Sequence, residues 1–337
     1  MVTEAVWIFV ERERRRPRAF WRLLVQFSVF FLLSAFGVLL VGTPAVLLGG
    51  TSTAAADAFF YMSTSIVSLL TLFASLALAA RFLDRRRFRD YGFNLDRGWF
   101  LDLGFGALLG AALMAGIFLV QLAFGWITVT GTFDSGFEGV PFAIGILPPL
   151  VIFLCVGVWE ESFSRGYQLK NIAEGLNYPA LGPKGAVIAA WIITSAVFGL
   201  LHLGNPNASL LSSFNIALAG ILLGVGYVLT GELAIPIGIH ITWNFFQGNV
   251  FGFPVSGLTG IGGSFVTVEQ GGPDLWTGGE FGPEAGLLDP IAVALGSLAI
   301  FLWVRLRQGR AGILAAVAEP PKAPEPSVRR AESRPDS

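Results

Sequence analysis

The residues of this sequence that could do chemistry lie inside or at the ends of long apolar runs. Glu160 and Glu161 end one run, and the two histidines of the chain, His202 and His240, fall in two later runs, with Asn244 beyond His240. A charged side chain at membrane depth costs about 3 kcal/mol or more, so it usually faces the protein interior and serves a function. A lone membrane histidine often makes only an interhelical hydrogen bond. Two histidines with a carboxylate pair and an amide favour a functional site.

The spacing of these residues predicts which side chains face the same way. Residues four apart share a helix face, and three pairs have this spacing: Glu161 and Arg165, Phe198 and His202, and His240 and Asn244. Adjacent helical residues point about 100° apart. We therefore expect one glutamate to face a cavity and the other to pair with Arg165, and that ion pair has a structural role in the simplest interpretation.

Two kinds of hydrolytic chemistry fit this residue set. A desolvated carboxylate is a suitable general base for water, a neutral histidine can share that role, and a second histidine with an asparagine can donate to an oxyanion. Alternatively, two histidines and a glutamate can hold a catalytic zinc with one bound water, although the local His-Glu-x-x-His arrangement is missing. Ser162 and Ser164 have no histidine partner by spacing, and Cys155 reads as a small buried hydrophobe.

The composition indicates the environment that must surround such a site. The chain has 337 residues, of which 54% are hydrophobic and only 13% charged, against about 25% charged residues in soluble domains. Lipid can serve as the solvent for such an apolar exterior. The net charge of -1 argues against a nucleic-acid binder, and a single cysteine excludes an intrachain disulfide. The excess of arginine over lysine suggests a bacterial source.

The hydrophobic pattern predicts an all-α, polytopic membrane protein with about eight transmembrane helices. Each run has about the 20 apolar residues that a spanning helix needs, and the runs lie near 20–42, 58–80, 99–124, 141–160, 184–203, 208–230, 233–250 and 288–305. These limits put Glu160 and His202 at opposite membrane faces, too far apart to react together. We therefore expect the fourth helix to begin at Pro148-Pro149 and to continue past Arg165 to about Leu176.

Basic residues alternate between the connections and predict the orientation. They precede the first helix and cluster at 81–97, at 165–184 and after 304, whereas 43–57, 125–140, 204–207 and 251–287 contain none. The positive-inside rule then places both termini in the cytoplasm of a multi-pass cell-membrane protein.

The predicted organisation divides the chain into six parts. They are a basic cytoplasmic N-terminus (1–19), helices 1 to 3 (20–140), a catalytic core of helices 4 to 7 (141–250), a Gly-rich extracytoplasmic loop (251–287), helix 8 (288–305) and a disordered cytoplasmic tail (306–337). We expect the loop to be a flexible linker, with substrate gating as the alternative. The Pro-rich, charged end of the tail is typical of disorder.

Three motifs give the sequence a resemblance to a known family. They are Glu160-Glu161-Ser162-Phe163-Ser164-Arg165 as E-E-x-x-x-R, Phe198-Gly199-Leu200-Leu201-His202 as F-x-x-x-H, and His240-Ile241-Thr242-Trp243-Asn244 as H-x-x-x-N. Each is weak alone, but their order on separate apolar segments is specific. Over about 158–246 the chain resembles the CPBP (Abi) family, the CAAX-protease and bacteriocin-processing intramembrane proteases.

The resemblance implies an eight-helix membrane enzyme that cleaves peptide bonds. Carried over by position, Glu160 acts with His202 on water, and His240 and Asn244 hold the oxyanion. Glu161 and Arg165, with the motif residue Phe198, support this arrangement. Such proteins have been described both as metalloproteases and as metal-free glutamate proteases, so a zinc ion on Glu160, His202 and His240 stays open as an alternative.

The expected function is therefore an intramembrane endopeptidase acting on a membrane-associated peptide or protein, with the lipid bilayer as its other partner and no nucleic acid. Two rival hypotheses remain. A protein of the same fold could use the site for binding only, as a membrane scaffold or immunity protein. A proton-coupled transporter could use glutamate and histidine as a relay, but the internal repeats that transporters usually show are not evident.

Overall fold

The computed structural model describes residues 10–11, 16–47 and 54–321, and within them eight long helices form a bundle. The helices are α1 (Ala19–Leu47), α2 (Ala54–Leu78), α3 (Arg97–Ala123), α4 (Leu147–Glu161, continued by a π-helical stretch Ser162–Leu169 and by Lys170–Leu176), α5 (Gly182–Leu201), α6 (Leu210–Thr230), α7 (Ala234–Phe245) and α8 (Leu288–Gln308). The prediction of an all-α, polytopic membrane protein is confirmed.

Seven of these helices, all except α7, are long and apolar enough to cross a membrane within the described part of the chain. Helix α7, even with its π-helical continuation Phe246–Val250, is shorter. Its first seven residues, from Ala234 to His240, are all buried. The predicted span at 233–250 is therefore an inner helix that is enclosed by its neighbours instead of by lipid.

Small residues let α7 lie close against α3. Gly106 and Gly110, one turn apart on α3, face the backbone of α7, and a β-carbon on Gly110 would lie 2.6 Å from the Ile239 carbonyl oxygen. Across the same contact, the Thr242 hydroxyl donates a 2.8 Å hydrogen bond to the Ala107 carbonyl. Such small-residue contacts are the usual way in which membrane helices approach closely. This packing fixes the helix that carries His240.

The fourth helix runs without a break through the glutamates, as predicted. The candidate span covers Phe142–Leu176, so Glu160 lies near its middle. The π-helical stretch Ser162–Leu169 begins directly after Glu161, and single π-helical turns are frequent at functional sites. The apolar run alone would put Glu160 and His202 at opposite faces of the membrane. Because the helix continues beyond that run, Glu160 lies near mid-helix, and the two residues can lie at a similar depth.

Two strands pair at one end of the bundle. We call it the sheet end, and it comprises residues 125–140, 204–207 and 251–287. Strand β1 (Ile127–Asp134) is antiparallel to β2 (Ser264–Gln270). Short helical turns follow at Asp274–Thr277, Gly279–Phe281 and Pro283–Ala285. The sequence did not predict this sheet, and the expectation of a flexible linker at 251–287 is wrong. The segment has a defined structure because its backbone pairs with β1 and its apolar side chains, Phe253, Val255 and Phe281, are buried.

The other end of the bundle contains a buried ionic cluster. We call it the basic end, and it comprises residues 16–22, 81–97, 174–184, 230–233 and 305–318. Glu174 of α4 accepts hydrogen bonds from Arg16 (2.9 Å), from Arg22 (3.1 Å) and from Arg86. Arg22 also contacts Asp84, at 3.0 Å. Burial alone would lower the pKa of Arg86, but Glu174 and Asp84 outweigh burial and raise that pKa above its ordinary value.

The chain after α8 corrects the predicted start of the tail. Helix α8 continues to Gln308, and a short 3-10 helix, Ala315–Ala318, docks against the bundle with Val317 and Ala318 buried. Leu314 donates its backbone N–H to the Val228 carbonyl at 2.9 Å. A disordered tail from 306 onward is therefore wrong for residues up to 321, because their apolar side chains find a surface to cover. The Pro-rich remainder and most of the N-terminal segment lie outside the described residues.

Candidate functional site

A cavity of about 280 Å³ brings the predicted site residues together between the middle of the bundle and the sheet end. Glu160 of α4, His202 at the end of α5, and His240 and Asn244 of α7 all line it. These residues come from three separate helices. Glu160, His202, His240 and Asn244 therefore share one cavity.

The two adjacent glutamates have different surroundings, as their helical spacing predicts. The Glu160 side chain keeps 18% of its surface exposed and lines the cavity. The Glu161 side chain is fully buried and accepts a 2.8 Å hydrogen bond from the Arg165 guanidinium. Glu160 is thus free to meet water or substrate, whereas Glu161 is committed to the protein.

His240 connects the two glutamates. Its Nδ1 lies 2.8 Å from Glu161 Oε1, and its Nε2 lies 3.8 Å from Glu160 Oε2. Because Glu161 also pairs with Arg165, its carboxylate is the natural acceptor for an Nδ1–H. Glu161 then fixes the orientation of the imidazole, because a carboxylate that accepts a hydrogen bond from one ring nitrogen holds a histidine in a single tautomer. Its Nε2 faces the cavity, where it can donate a hydrogen bond when the ring is protonated.

His202 has a ring orientation set by the backbone. Its Nδ1 lies 2.7 Å from the Phe198 carbonyl oxygen, one helical turn earlier. A carbonyl can only accept a hydrogen bond, so Nδ1 carries the hydrogen and the Nε2 of a neutral ring has a lone pair. That lone pair is available for a water in the cavity. The F-x-x-x-H spacing therefore positions His202 as a proton acceptor.

The Phe198 ring lies against three side chains of the site: Arg165, His202 and His240. The Arg165 guanidinium lies over it at 4.7 Å from the ring centre. The His202 and His240 rings lie at 4.9 Å and 6.1 Å from it, centre to centre. Arg165 also donates to the Gly220 carbonyl at 3.0 Å, which ties α4 to α6. Phe198 thus contacts three side chains of the site, and Arg165 links α4 to α5 and α6.

A zinc ion is the alternative use of Glu160, His202 and His240, and the arrangement does not fit it. A catalytic zinc needs three protein ligands around an open position. Among the residues described, no three His, Cys, Asp or Glu side chains are placed to hold a metal ion together. We therefore derive the chemistry from protein groups and water.

The sequence analysis missed three residues that the sheet end contributes to the cavity: Asn205, Ser256 and Glu284. Glu284 is buried and accepts hydrogen bonds from the backbone and hydroxyl of Ser256 and from Gln247 Nε2 at 3.0 Å. Burial raises the pKa of Glu284, against these hydrogen bonds and the nearby His202, which lower it. No motif distinguishes Glu284 from the other acidic residues of 251–287. Only its burial in the folded chain distinguishes it.

Comparison with known proteins agrees with the resemblance. Residues 142–246 match the family model described as Type II CAAX prenyl endopeptidase Rce1-like, and this match is consistent with the CPBP/CAAX protease family. The matched segment contains all three motifs. No curated protein and no solved structure matches the chain.

Proposed function

We propose that this protein is an intramembrane endopeptidase that hydrolyses a peptide bond in a membrane-associated protein or peptide, with Glu160 and His202 activating the water. At the level of the family, the Rce1-like match supports a CAAX-protease-like endopeptidase, and the apolar helices support a multi-pass membrane protein. The specific residues and the metal-free chemistry are our proposal.

The proposed reaction uses each site residue once. A water held between Glu160 and His202 transfers one proton to the Glu160 carboxylate and donates its other hydrogen to His202 Nε2 as its oxygen attacks the peptide carbonyl. The negative charge that develops on the carbonyl oxygen is met by the Asn244 amide and by protonated His240, whose charge Glu161 balances. The proton taken from water is then delivered to the leaving amine, so that one water is consumed for each bond broken.

The observation that carries the proposal is the orientation of His202. Its hydrogen bond to the Phe198 carbonyl leaves Nε2 as an acceptor, and it shares a cavity with a partly exposed Glu160. A general base must reach the proton that it abstracts directly or through one water. A purely structural histidine would not need a ring fixed in this way beside a cavity.

The test compares cleavage of a membrane-peptide library by three purified proteins in detergent. They are the wild type, Glu160→Gln, and Glu138→Gln as a matched control, because Glu138 is exposed at the sheet end. We expect cleavage by the wild type and the control and a loss of at least about 100-fold in Glu160→Gln, since a positioned base contributes about 10² to 10⁴ in rate. An added chelator should not change the rate.

Four results would contradict the proposal. Cleavage by Glu160→Gln at the wild-type rate would remove the proposed base, and loss of activity with chelator would restore the zinc alternative. Absence of cleavage by all three well-folded proteins would favour a binding protein. Proton or solute flux in liposomes that is abolished by His240→Ala would favour the transporter.

A further inference from the structure

We propose that the cavity receives its substrate from the sheet end, so that the scissile bond lies in a peptide segment on the extracytoplasmic side of the membrane. This inference rests on the proposed peptidase function and adds the side and the class of its substrate. It excludes as a substrate a prenylated carboxyl terminus held at the cytoplasmic leaflet. Four independent observations support it.

The first observation is the depth of the cavity along the helices that line it. Tyr61 and Ser65 belong to the first half of α2, and Ile152 and Phe153 to the first half of α4. Both helix segments lie toward the sheet end. Helix α5 begins at the basic end with Gly182, and His202 follows its last residue, about 30 Å farther along the helix axis. The cavity thus extends from mid-bundle toward one face only.

The second observation is that the segment 251–287 forms the outer wall. Val255, Ser256, Leu258, Thr259 and Ile261 line the cavity together with the helices. Thr259 is exposed, so the rim reaches the surface there.

This wall is held to α5 by a hydrogen bond across the site. The Asn205 amide donates to the Ser256 carbonyl at 3.0 Å, just beyond His202. A substrate that enters beside Thr259 would therefore pass directly to the two histidines.

The third observation is that the route from the basic end is filled. Between the site and that end, α4 contributes Glu161, Arg165, Tyr167 and Leu169, each with at most 1% of its surface exposed. Arg165 is bonded to Glu161 and to the Gly220 carbonyl. A peptide could enter from this side only by breaking that buried ion pair, which is energetically costly.

The fourth observation is the distribution of charge between the two ends. The connections 125–140, 204–207 and 251–287 contain no lysine or arginine, whereas 81–97 alone contains six arginines: Arg81, Arg85, Arg86, Arg87, Arg89 and Arg97. By the positive-inside rule the basic end is cytoplasmic, and the cavity mouth is then extracytoplasmic.

The lining of the cavity agrees with this substrate class. Glu160 and Glu284 contribute carboxyl groups, and no lysine or arginine of the described chain lines the cavity. A free carboxyl terminus close to the scissile bond would therefore find no lysine or arginine partner, and the Glu160 carboxylate would repel it. An internal segment of a membrane-anchored chain carries no such charge and fits this lining better.

The orientation is tested by labelling intact cells with a membrane-impermeant maleimide. The background is Cys155→Ala, which removes the single cysteine. One variant adds Thr259→Cys at the cavity rim, and its matched control adds Arg89→Cys at the basic end, where the side chain is 58% exposed. We expect Thr259→Cys to be labelled in intact cells and Arg89→Cys only after permeabilisation. The reverse pattern would overturn the proposal.

A second arm tests the route in purified protein, with a peptide that the wild type cleaves. A bulky maleimide on Thr259→Cys should reduce cleavage at least about tenfold, and the same adduct on Arg89→Cys should leave it unchanged. Full cleavage by the labelled Thr259→Cys protein would show another entry route and overturn the inference. If no protein cleaves any peptide, the peptidase proposal fails, and the labelling of cells still decides on which side the cavity opens.

Discussion

Two adjacent residues of the same type, Glu160 and Glu161, differ in function because the helix turns between them. Glu160 faces a cavity, whereas Glu161 is bonded to Arg165 and to His240 inside the protein. Glu161 neutralises the buried charge of Arg165 and orients the His240 ring, so it contributes both to the stability of the fold and to the geometry of the site. Substitutions of the two glutamates should therefore have different consequences.

The residue-scale prediction is that Glu161→Gln lowers both stability and activity, whereas Glu160→Gln lowers activity alone. Removing one partner of a buried pair leaves an uncompensated charge and costs about 3 to 5 kcal/mol, here on Arg165, which is 1% exposed. Thermal unfolding in detergent, followed by tryptophan fluorescence, and peptide cleavage would measure both effects. A Glu161→Gln protein with the wild-type melting temperature would show that the pair contributes nothing to stability.

The motif residues could be predicted from the sequence because their signal is local. Helical spacing alone predicts that Glu160 and Glu161 diverge and that Glu161 reaches Arg165. Spacing cannot show that His240 binds Glu161, since these residues are far apart in the chain and meet only through packing. The same limit applies to Glu284, whose position depends on the fold of the whole 251–287 segment.

At the scale of elements, the sequence predicts helices well and their close contacts poorly. The apolar runs indicate the eight helices because hydrophobic length is a strong signal. The sequence does not predict the sheet of β1 and β2, because short strands in Gly-rich connections lack a long periodic pattern. The small-residue contact between α3 and α7 is visible as Gly106 and Gly110 only once the partner helix is known.

The contact between α3 and α7 gives a prediction with a matched control on the same helix. Gly110→Ala should destabilise the protein by about 1 to 3 kcal/mol through overpacking, because its new methyl group would meet the Ile239 backbone. Gly104→Ala places the same group where no atom lies within 4 Å. It should be neutral or stabilising, since alanine is the better helix former. Equal melting temperatures for the two variants would contradict this account of the packing.

The segment 251–287 gives a prediction about pH through Glu284. Burial raises the pKa of Glu284 in the folded protein above its ordinary value. As pH rises, Glu284 therefore loses its proton in the unfolded chain at a lower pH than in the folded chain. Stability from this group is therefore present at low pH and is lost as pH rises through the raised value. Glu284→Gln removes this dependence.

Melting temperatures of the wild type and of Glu284→Gln, measured in detergent over a pH series from 4 upward at about half-unit steps, test the sign of that effect. The difference, wild type minus variant, should decrease as pH rises. The difference reports Glu284 together with its interactions with the neighbouring His202 and Asp289. A constant or increasing difference would show that the carboxyl of Glu284 does not titrate as its burial requires.

At the scale of the whole molecule, the two ends of the bundle have separate tasks. The sheet end and the middle contain the cavity and all proposed site residues. The basic end contains a buried ionic cluster that joins the segment before α1, the end of α2 and the end of α4. A protein built in this way can lose stability at one end without losing the geometry of the other.

This separation predicts that Glu174→Gln destabilises the protein by about 3 to 5 kcal/mol without changing the activity of the molecules that remain folded. Glu174 contacts Arg16, Arg22 and Arg86, and its loss leaves three buried guanidinium groups with fewer acceptors. Glu319→Gln, an exposed position at the same end of the bundle, is the control and should match the wild type in both respects. Melting temperature and cleavage rate per folded molecule, measured below the transition, separate the two effects. A fall in the rate per folded molecule would show that the basic end contributes to the site, because the bundle would then transmit the loss of the cluster along α4 to Glu160.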